Sequence, residues 1–282
     1  MIKTKIILDS ISKAGARIIT YELRYPRFIH SEFMTHRDFS RNASSSRAIP
    51  IEKMIKKVQD DPALVIYWGK NQSGMQAKEE LDDKSTTTCE KVWNIARNCI
   101  IGFVEVLSNI GLHKQIANRL LEPFMNITVI CTATDWNNFF ALRCHETAQP
   151  EIRRLAYCML RDYYNSTPKL IEVGDWHLPY LTEEESKLPL DLKQKISVAK
   201  SARVSYLTHD GDRDYNKDLE LYERLYKDGH MSPLEHIATP SLDPLVKSGN
   251  FTGWRQYRKI IGNDIRTEIP KLEEVEEYFK AL

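Results

Sequence analysis

Glycine-rich phosphate cradles are missing from this sequence: neither GxGxxG nor GxxxxGK[ST] occurs anywhere in its 282 residues. A dinucleotide bound to such a chain has to be held by side chains from loops and helix ends. GxSxG and HExxH are missing as well, which removes the common serine-hydrolase and zinc-protease signatures. Cysteine is sparse. Cys89, Cys99, Cys131, Cys144 and Cys158 are odd in number and show no CxxC or Cys/His spacing. They read as reduced, buried thiols of an intracellular protein, with no metal site. Long apolar runs are absent too: "CIIGFVEVL" already contains Glu105, and the opening "MIKTKIILDSISKAG" has neither an apolar signal core nor a cleavage site. A soluble, cytoplasmic protein without membrane association is expected. Finally, there is no excess of one charge: 40 basic residues against 39 acidic ones leave +1. Such a chain is no general polyanion binder, so no stable nucleic-acid partner is expected and any anion site must be local.

What is present suffices for a large core, since 42% of the residues are hydrophobic. Strand and helix patterns are mixed, with no low-complexity linker. "RIITYELRYPRF" alternates up to Pro26 and predicts a strand from Arg17 to Leu23. From Cys89 to Ile110 the apolar positions keep helical spacing ahead of Gly111, which predicts a core helix. "KQIANRLLEP" reads as a helix stopped before Pro123, and "NITVICTAT" as a β-branched strand. "DWNNFFALRCH" reads as a helix with Asp135 as candidate N-cap, and the next helix has Pro150 in its first turn. "DLELYERLYKDGH" puts Leu219, Tyr222, Leu225 and Tyr226 on one helical face. "SGMQAKEELDDKSTTT" and "LTEEESKLPLDLKQK" look like surface connections. "DGDRDYNKDLEL" resembles a calcium loop only superficially, because Tyr215 and Leu221 stand where glycine and glutamate are needed; it reads as a solvated loop leading into a helix.

The stretch "THRDFSRNASSSRA", residues 35–48, carries the chemistry. Arg37, Arg41 and Arg47 can each grip a phosphate or carboxylate through paired N–H groups, and Ser40, Asn42, Ser44, Ser45 and Ser46 add short neutral donors. Solvation of a polar loop is the competing reading of such a run taken alone.

Three segments together resemble the flavin-dependent thymidylate synthases. "HRDFSRNASSSR" is similar to the family's signature at His36, Arg37, Ser40, Asn42, Ser45 and Arg47. "NNFFALRCHETAQPEIRRLA" resembles its flavin- and pyrimidine-binding segment, and "SARVSYL…HMSPLEHIATP" its ARVS helix and SPxEH turn. The order differs, because ARVS and SPxEH ordinarily precede the signature and here follow it. The resemblance therefore implies a circularly permuted, phage-like member. Its fold is α+β: a mainly antiparallel sheet flanked by helices, in the thymidylate synthase-complementing arrangement. One domain over 1–282 is expected, with the signature loop and helical part in 1–195, the permuted segment in 196–240 and a tail in 241–282.

What the resemblance implies for single residues follows. Glu32, Ser45, Ser46, Arg47, Arg119 and Arg143 are expected at the nucleotide. Arg143 is the expected catalytic group, stabilising the pyrimidine anion. Thr35, His36, Arg37, Asn138, Ser205 and His236 are expected at FAD. The implied reaction is C5 methylation of dUMP to dTMP with methylenetetrahydrofolate and NADPH as co-substrates. A pyrimidine deoxynucleoside monophosphate is the implied ligand, and a homotetramer the implied assembly. Thr35 stands where the family has arginine, Glu32 where it has glutamine, Ala43 where it has glutamate, and "TAT" at 132–134 replaces Asn-x-Arg. These departures keep dCMP as an alternative substrate and a 5-hydroxymethyl base as an alternative product. A non-catalytic RNA-binding regulator is a further alternative, which near-zero net charge and the presence of Arg143 disfavour. The missing charge at Thr35 makes Arg255 and Arg258 of the tail candidate phosphate contacts.

Overall fold

The computed structural model describes residues 1–204, 214–262 and 269–280. At its centre β1 (Lys3–Ser12), β2 (Arg17–Pro26), β3 (Ser40–Ala43), β4 (Asn126–Ala133) and β5 (Lys169–Ile171) form one sheet in the order β3-β4-β2-β1-β5. Every pairing is antiparallel except β1 with β5. Period-two alternation divides the middle strands between two faces. Ile19, Tyr21, Leu23 and Tyr25 of β2 join Ile127, Val129 and Cys131 of β4 in one apolar cluster. That cluster is closed by Trp136, by Phe139 and Phe140 of α5 (Asn137–Arg143), and by Ile152, Leu155 and Met159 of α6 (Pro150–Asn165). The opposite face carries Ile18, which packs with Ile171, Ala238, Phe251 and Trp254.

The C-terminal half covers that opposite face. After α7 (Leu190–Arg203) and α8 (Tyr215–Lys227), a 3-10 turn (Ser232–His236) leads into β6 (Ala238–Pro240). The hairpin β7 (Lys247–Ser248) and β8 (Phe251–Thr252) follows, then β9 (Trp254–Gln256), which pairs antiparallel with β6. Gly253, at φ +75°, lets this hairpin close on the β1–β2 turn: a Cβ there would lie 2.6 Å from Ala16 Cβ and 2.9 Å from the Pro244 carbonyl oxygen. The short α9 (Tyr257–Ile261) and α10 (Leu272–Lys280) end the described chain. Residues 210–213 of the calcium-like stretch lie outside the described residues; α8 begins just beyond, with Asp214 capping the Asn216 amide at 3.0 Å.

Between β2 and β3, α1 (His30–Phe33) precedes the signature; between β3 and β4, α2 (Ile51–Asp60), α3 (Asp83–Asn109) and α4 (Lys114–Ala117) build a second apolar cluster. Here the structure corrects three expectations. The helix predicted from Cys89 to Ile110 exists within α3, yet it buries only Ile101 and Val104 completely. Val92, Ile95, Phe103, Val106 and Ile110 lie exposed at helical spacing, because the chain supplies neighbours to one side of the helix only. The cysteines follow the same logic: Cys131 is buried, Cys99 is exposed, and the other three are half-buried. The helix expected to stop before Pro123 also differs. α4 tightens into a 3-10 turn (Asn118–Phe124) that runs through Pro123.

Candidate active site

α1 and the turn after it bring the first half of the signature to α5. Arg41 points back and donates from Nη1 to the carbonyls of Phe33 at 3.1 Å and His36 at 2.8 Å, closing the turn. His36 is thereby set against Phe39 and edge-on to Phe139. Arg143, the last residue of α5, donates from Nε to His36 Nε2 at 2.9 Å and from Nη2 to Thr35 Oγ1 at 3.3 Å. Its Nη1 lies 3.7 Å from Glu32 Oε2, an ion pair beyond hydrogen-bond length. Thr35 in turn donates to the Glu32 carbonyl at 2.7 Å. Burial, reinforced by the Arg143 and Arg41 charges, lowers the His36 pKa to about 4. His36 is therefore neutral at physiological pH, with its proton on Nδ1.

Thr35, His36 and Arg143 line an open pocket of about 310 Å³, at the small end of ligand sites. Phe39, Phe139 and Leu142 give it apolar walls. Arg37 and Asn138, both exposed, add donors, while Asp38 and Asp135 add carboxylates. The pocket can take a planar ring between apolar walls, with a guanidinium at its edge.

A second polar group forms around Glu122. Its Oε1 accepts from Ser46 Oγ at 2.7 Å and Arg119 Nη1 at 2.8 Å, and lies 3.0 Å from Arg27 Nη2. Burial by itself would raise the Glu122 pKa, but Ser46 and the two arginines outweigh it and hold the carboxylate ionised. Buried Asn118 fixes the adjoining loop by donating to the Ser46 carbonyl at 2.7 Å and the Ile49 carbonyl at 2.9 Å. Ser45 is half-buried and Arg47 exposed nearby in sequence. Two arginines and a hydroxyl converging on one carboxylate oxygen form an anion-recognition geometry.

A third group crosses the sheet. His236 is completely buried, and the Asn42 amide satisfies its neighbours when its nitrogen donates to His236 Nε2 at 2.9 Å. His236 Nδ1 then donates to Thr132 Oγ1 at 2.9 Å, Thr132 to Thr20 at 2.7 Å, and Thr20 to His177 Nε2 at 2.8 Å. His177 Nδ1 ends the chain on Ser10 Oγ at 2.9 Å. Burial lowers the pKa of both histidines to about 3, so both rings are neutral.

The structure thus gathers Thr35, His36, Arg37, Asn138 and Arg143 at one pocket, with Glu32 beside Arg143. It places Ser46 and Arg119 on Glu122, and His236 behind Asn42. Arg255 is exposed, Arg258 pairs with Glu235, and Ser205 lies outside the described residues. Glu122, Arg27, His177 and Thr20 were not singled out from the sequence, where each is an ordinary polar residue between apolar neighbours, and Thr132 stood out there only as a departure from the family's Asn-x-Arg. Among the described residues no three His, Cys, Asp or Glu side chains group as a metal site, and no helix is long and apolar enough to cross a membrane.

A mixed sheet-and-helix fold that sets Arg37 and Arg143 at a small open pocket, with a separate cluster of arginines and a serine around Glu122, is the class of protein these features define. The sequence profile described as Thymidylate synthase complementing protein matches residues 16–169, more than half of the chain, and the chain belongs to that family. It is 28% identical over 159 residues to a flavin-dependent thymidylate synthase of Mycobacteroides abscessus, covering 54% of this chain and 58% of that relative. The chain thus spans less than two thirds of the length of the curated relative it matches. Among solved structures it is similar to a UMP/dUMP methylase, PolB from Streptomyces cacaoi, bound with 5-Br UMP, at TM-score 0.49 and 15% identity over 58% of this chain and 89% of that one. The same methylase bound with 5-Br dUMP gives TM-score 0.46 at 15% identity, over 58% of this chain and 91% of the other.

Proposed function

We propose that this chain is a flavin-dependent thymidylate synthase. It methylates dUMP at C5 to give dTMP, with FAD as cofactor, methylenetetrahydrofolate as carbon donor and NADPH as reductant. The observation that carries this reading is Arg143, oriented by His36 and Thr35 at the edge of a ring-sized pocket inside the family's matched region. The name of the Mycobacteroides abscessus relative supports it.

The chemistry suits these residues. C5 of a uracil becomes nucleophilic as negative charge builds on N3 and its neighbouring carbonyl, and a fixed guanidinium at that edge stabilises the charge as it develops. His36, kept neutral, holds the Arg143 fork without competing for it as a second cation. Arg37 and Asn138 would hold FAD against the Phe39 and Phe139 walls, with His236 supporting the loop from behind. Flavin, when bound, supplies the two-electron reduction that completes a methyl group from a transferred one-carbon unit. Over one turnover dUMP, methylenetetrahydrofolate, NADPH and a proton give dTMP, tetrahydrofolate and NADP⁺. Arg119, Ser46 and Arg47 are assigned to the nucleotide phosphate.

We assign the active form to a homotetramer, a reading that the uncovered apolar stripe of α3 supports; a cytoplasmic location belongs to the same reading. A segment order permuted around residues 196–240 belongs to the same reading. The Glu32 carboxylate beside Arg143 favours one alternative, dCMP, whose exocyclic amine it can accept. FAD titration followed by anaerobic turnover of dUMP against dCMP tests the assignment. Flavin absorbance that grows on binding, with dTMP formed from dUMP, is expected; FAD failing to bind at tens of micromolar removes the reading.

A further inference from the structure

The C-terminal segment does more than cover the sheet. β3 is a short edge strand, and its alternation sends Ser40 and Asn42 to the same side, toward residues 232–256. Asn42 meets Ser232 and His236 there. Ser40 meets a different pair: its Oγ donates to Asn250 Oδ1 at 3.1 Å, and Gln256 Nε2 donates to the same Oδ1 at 2.9 Å. Gln256 Nε2 also lies 3.3 Å from Ser40 Oγ. Asn250 completes the set by donating from Nδ2 to the Asp38 carbonyl at 2.8 Å.

Gln256 is buried, so its amide must find partners within the protein. The turn that carries Asn250 is shaped to let it do so. Gly249 adopts φ +64°, and a Cβ there would stand 2.6 Å from Gln256 Oε1. The Ser248 hydroxyl accepts from the Gln256 backbone N–H at 3.1 Å, tying the two sides of this hairpin together. Phe251 and Trp254 anchor the hairpin in the core beside Ile18. A rooted hairpin therefore reaches across the sheet to hold residues 38 and 40, on either side of Phe39 and directly after His36.

We propose that Asn250 and Gln256 are positioning residues of the candidate active site: they clamp the 38–40 backbone so that His36 stays presented to Arg143. They touch neither the pocket nor its ligands; they act through Asp38 and Ser40. The consequence for nucleotide chemistry rests on the function proposed above. The clamp itself does not.

The test follows the ring resonances of His36 by NMR titration in the full-length protein, comparing Asn250→Ala and Gln256→Ala with wild type. Leu221→Ala, in α8 and away from the loop, controls for a general loss of stability. In wild type the ring is expected to titrate with a midpoint at about pH 4, and Leu221→Ala should match it. In both clamp variants its midpoint is expected to move upward by roughly a unit, as burial and the Arg143 contact loosen. dUMP affinity should weaken about tenfold in the clamp variants and not in the control, the loss expected for one misplaced polar contact. An unchanged His36 midpoint in either clamp variant overturns the clamp, as does the same shift in Leu221→Ala. Failure of wild type to bind any pyrimidine nucleotide overturns the proposed function instead, and the His36 titration still decides the clamp.

Discussion

Arg143 Nε and His36 Nε2 lie 2.9 Å apart, and because guanidinium can only donate, this contact fixes the imidazole as the neutral Nδ1–H tautomer. The pairing joins the C-terminus of α5 to the first residues of the signature loop, and it determines what each side chain can do. His36 is an acceptor that aims a cation. Arg143 is the charge that the proposed function sets against the substrate.

Replacing Arg143 by Ala should lower kcat by about 10²- to 10³-fold, the usual effect of losing a charge that acts on the transition state. FAD affinity should change far less. Arg143→Lys should not restore the rate, since an ammonium is a point charge on one nitrogen and cannot reproduce the planar fork whose Nε meets His36 and whose Nη2 meets Thr35. Steady-state kinetics beside FAD titrations check this, and an Ala variant with wild-type turnover would dismiss Arg143 as the catalytic group.

Stability should fall with acid in a defined window. Burial lowers the pKa of His30 and His36 to about 4 and of His177 and His236 to about 3. In the unfolded chain these rings titrate near 6.5, so below that pH the unfolded state binds protons that the folded state refuses. Their contribution is complete above pH 6.5 and is lost as pH falls toward the folded values. Urea midpoints should therefore decline between pH 6.5 and 4.5, before most carboxylates titrate. His177→Gln should remove about one proton from that slope. A midpoint constant across this window would contradict the neutral buried network.

Glu122 is expected to organise Arg119, Arg27 and Ser46. Glu122→Ala should destabilise the fold by about 1–3 kcal/mol, because it leaves buried donors without their acceptor. It should also weaken dUMP binding, since Arg119 loses its orientation. Arg119→Ala, more exposed, should weaken dUMP with little change in Tm. Calorimetry on both variants separates the effects; equal dUMP affinity in all three proteins would detach this group from the nucleotide.

The stripe on α3 should be an interface. Phe103→Glu or Val106→Glu puts a carboxylate on an exposed apolar position, so the isolated fold loses little. A tetramer relying on that face should dissociate, and light scattering after gel filtration reads the mass. A tetramer persisting in both variants would place the interface elsewhere.

A chain ending at residue 195 should not unfold cooperatively. It lacks Trp254, Phe251 and Ala238, which cover Ile18, and it lacks His236 and Gln256 behind the signature strand. Calorimetric unfolding at the wild-type Tm would mean that residues 1–195 form a domain of their own.

Much of this was legible before the structure. β2, β4 and α6 sit where the pattern placed them, β2 running on to Pro26 and Pro150 opening α6. The α5 helix is there too, but it starts at Asn137 after Trp136, not at the expected cap Asp135, whose carboxylate accepts from the Asn137 backbone N–H at 3.1 Å. β1 escaped notice because its burial is uneven and Lys3, Lys5 and Asp9 interrupt its apolar positions. The acidic stretch read as a surface connection contributes the start of α3, where Asp82 caps the Ser85 amide at 2.9 Å. Similarly, α7 begins inside the second predicted connection, at Leu190. The site divides in the same way. Residues of the signature and α5 are near one another or share a family pattern, so their pocket could be anticipated. The clamp of Asn250 and Gln256 and the hydrogen-bonded line from Ser10 to His236 depend on pairing across the whole sheet. No local pattern carries that information, because an amide or hydroxyl looks alike in sequence whether it faces water or a buried partner.

The most direct measurement is release of tritium from the C5 position of dUMP under anaerobic conditions, with FAD, NADPH and methylenetetrahydrofolate present and dTMP quantified in parallel. Wild-type protein should release tritium and form dTMP in equal amounts, dependent on FAD, and Arg143→Ala should do neither at a comparable rate. If wild type binds FAD and dUMP yet releases no tritium and forms no dTMP, the chain does not carry out C5 methylation of dUMP.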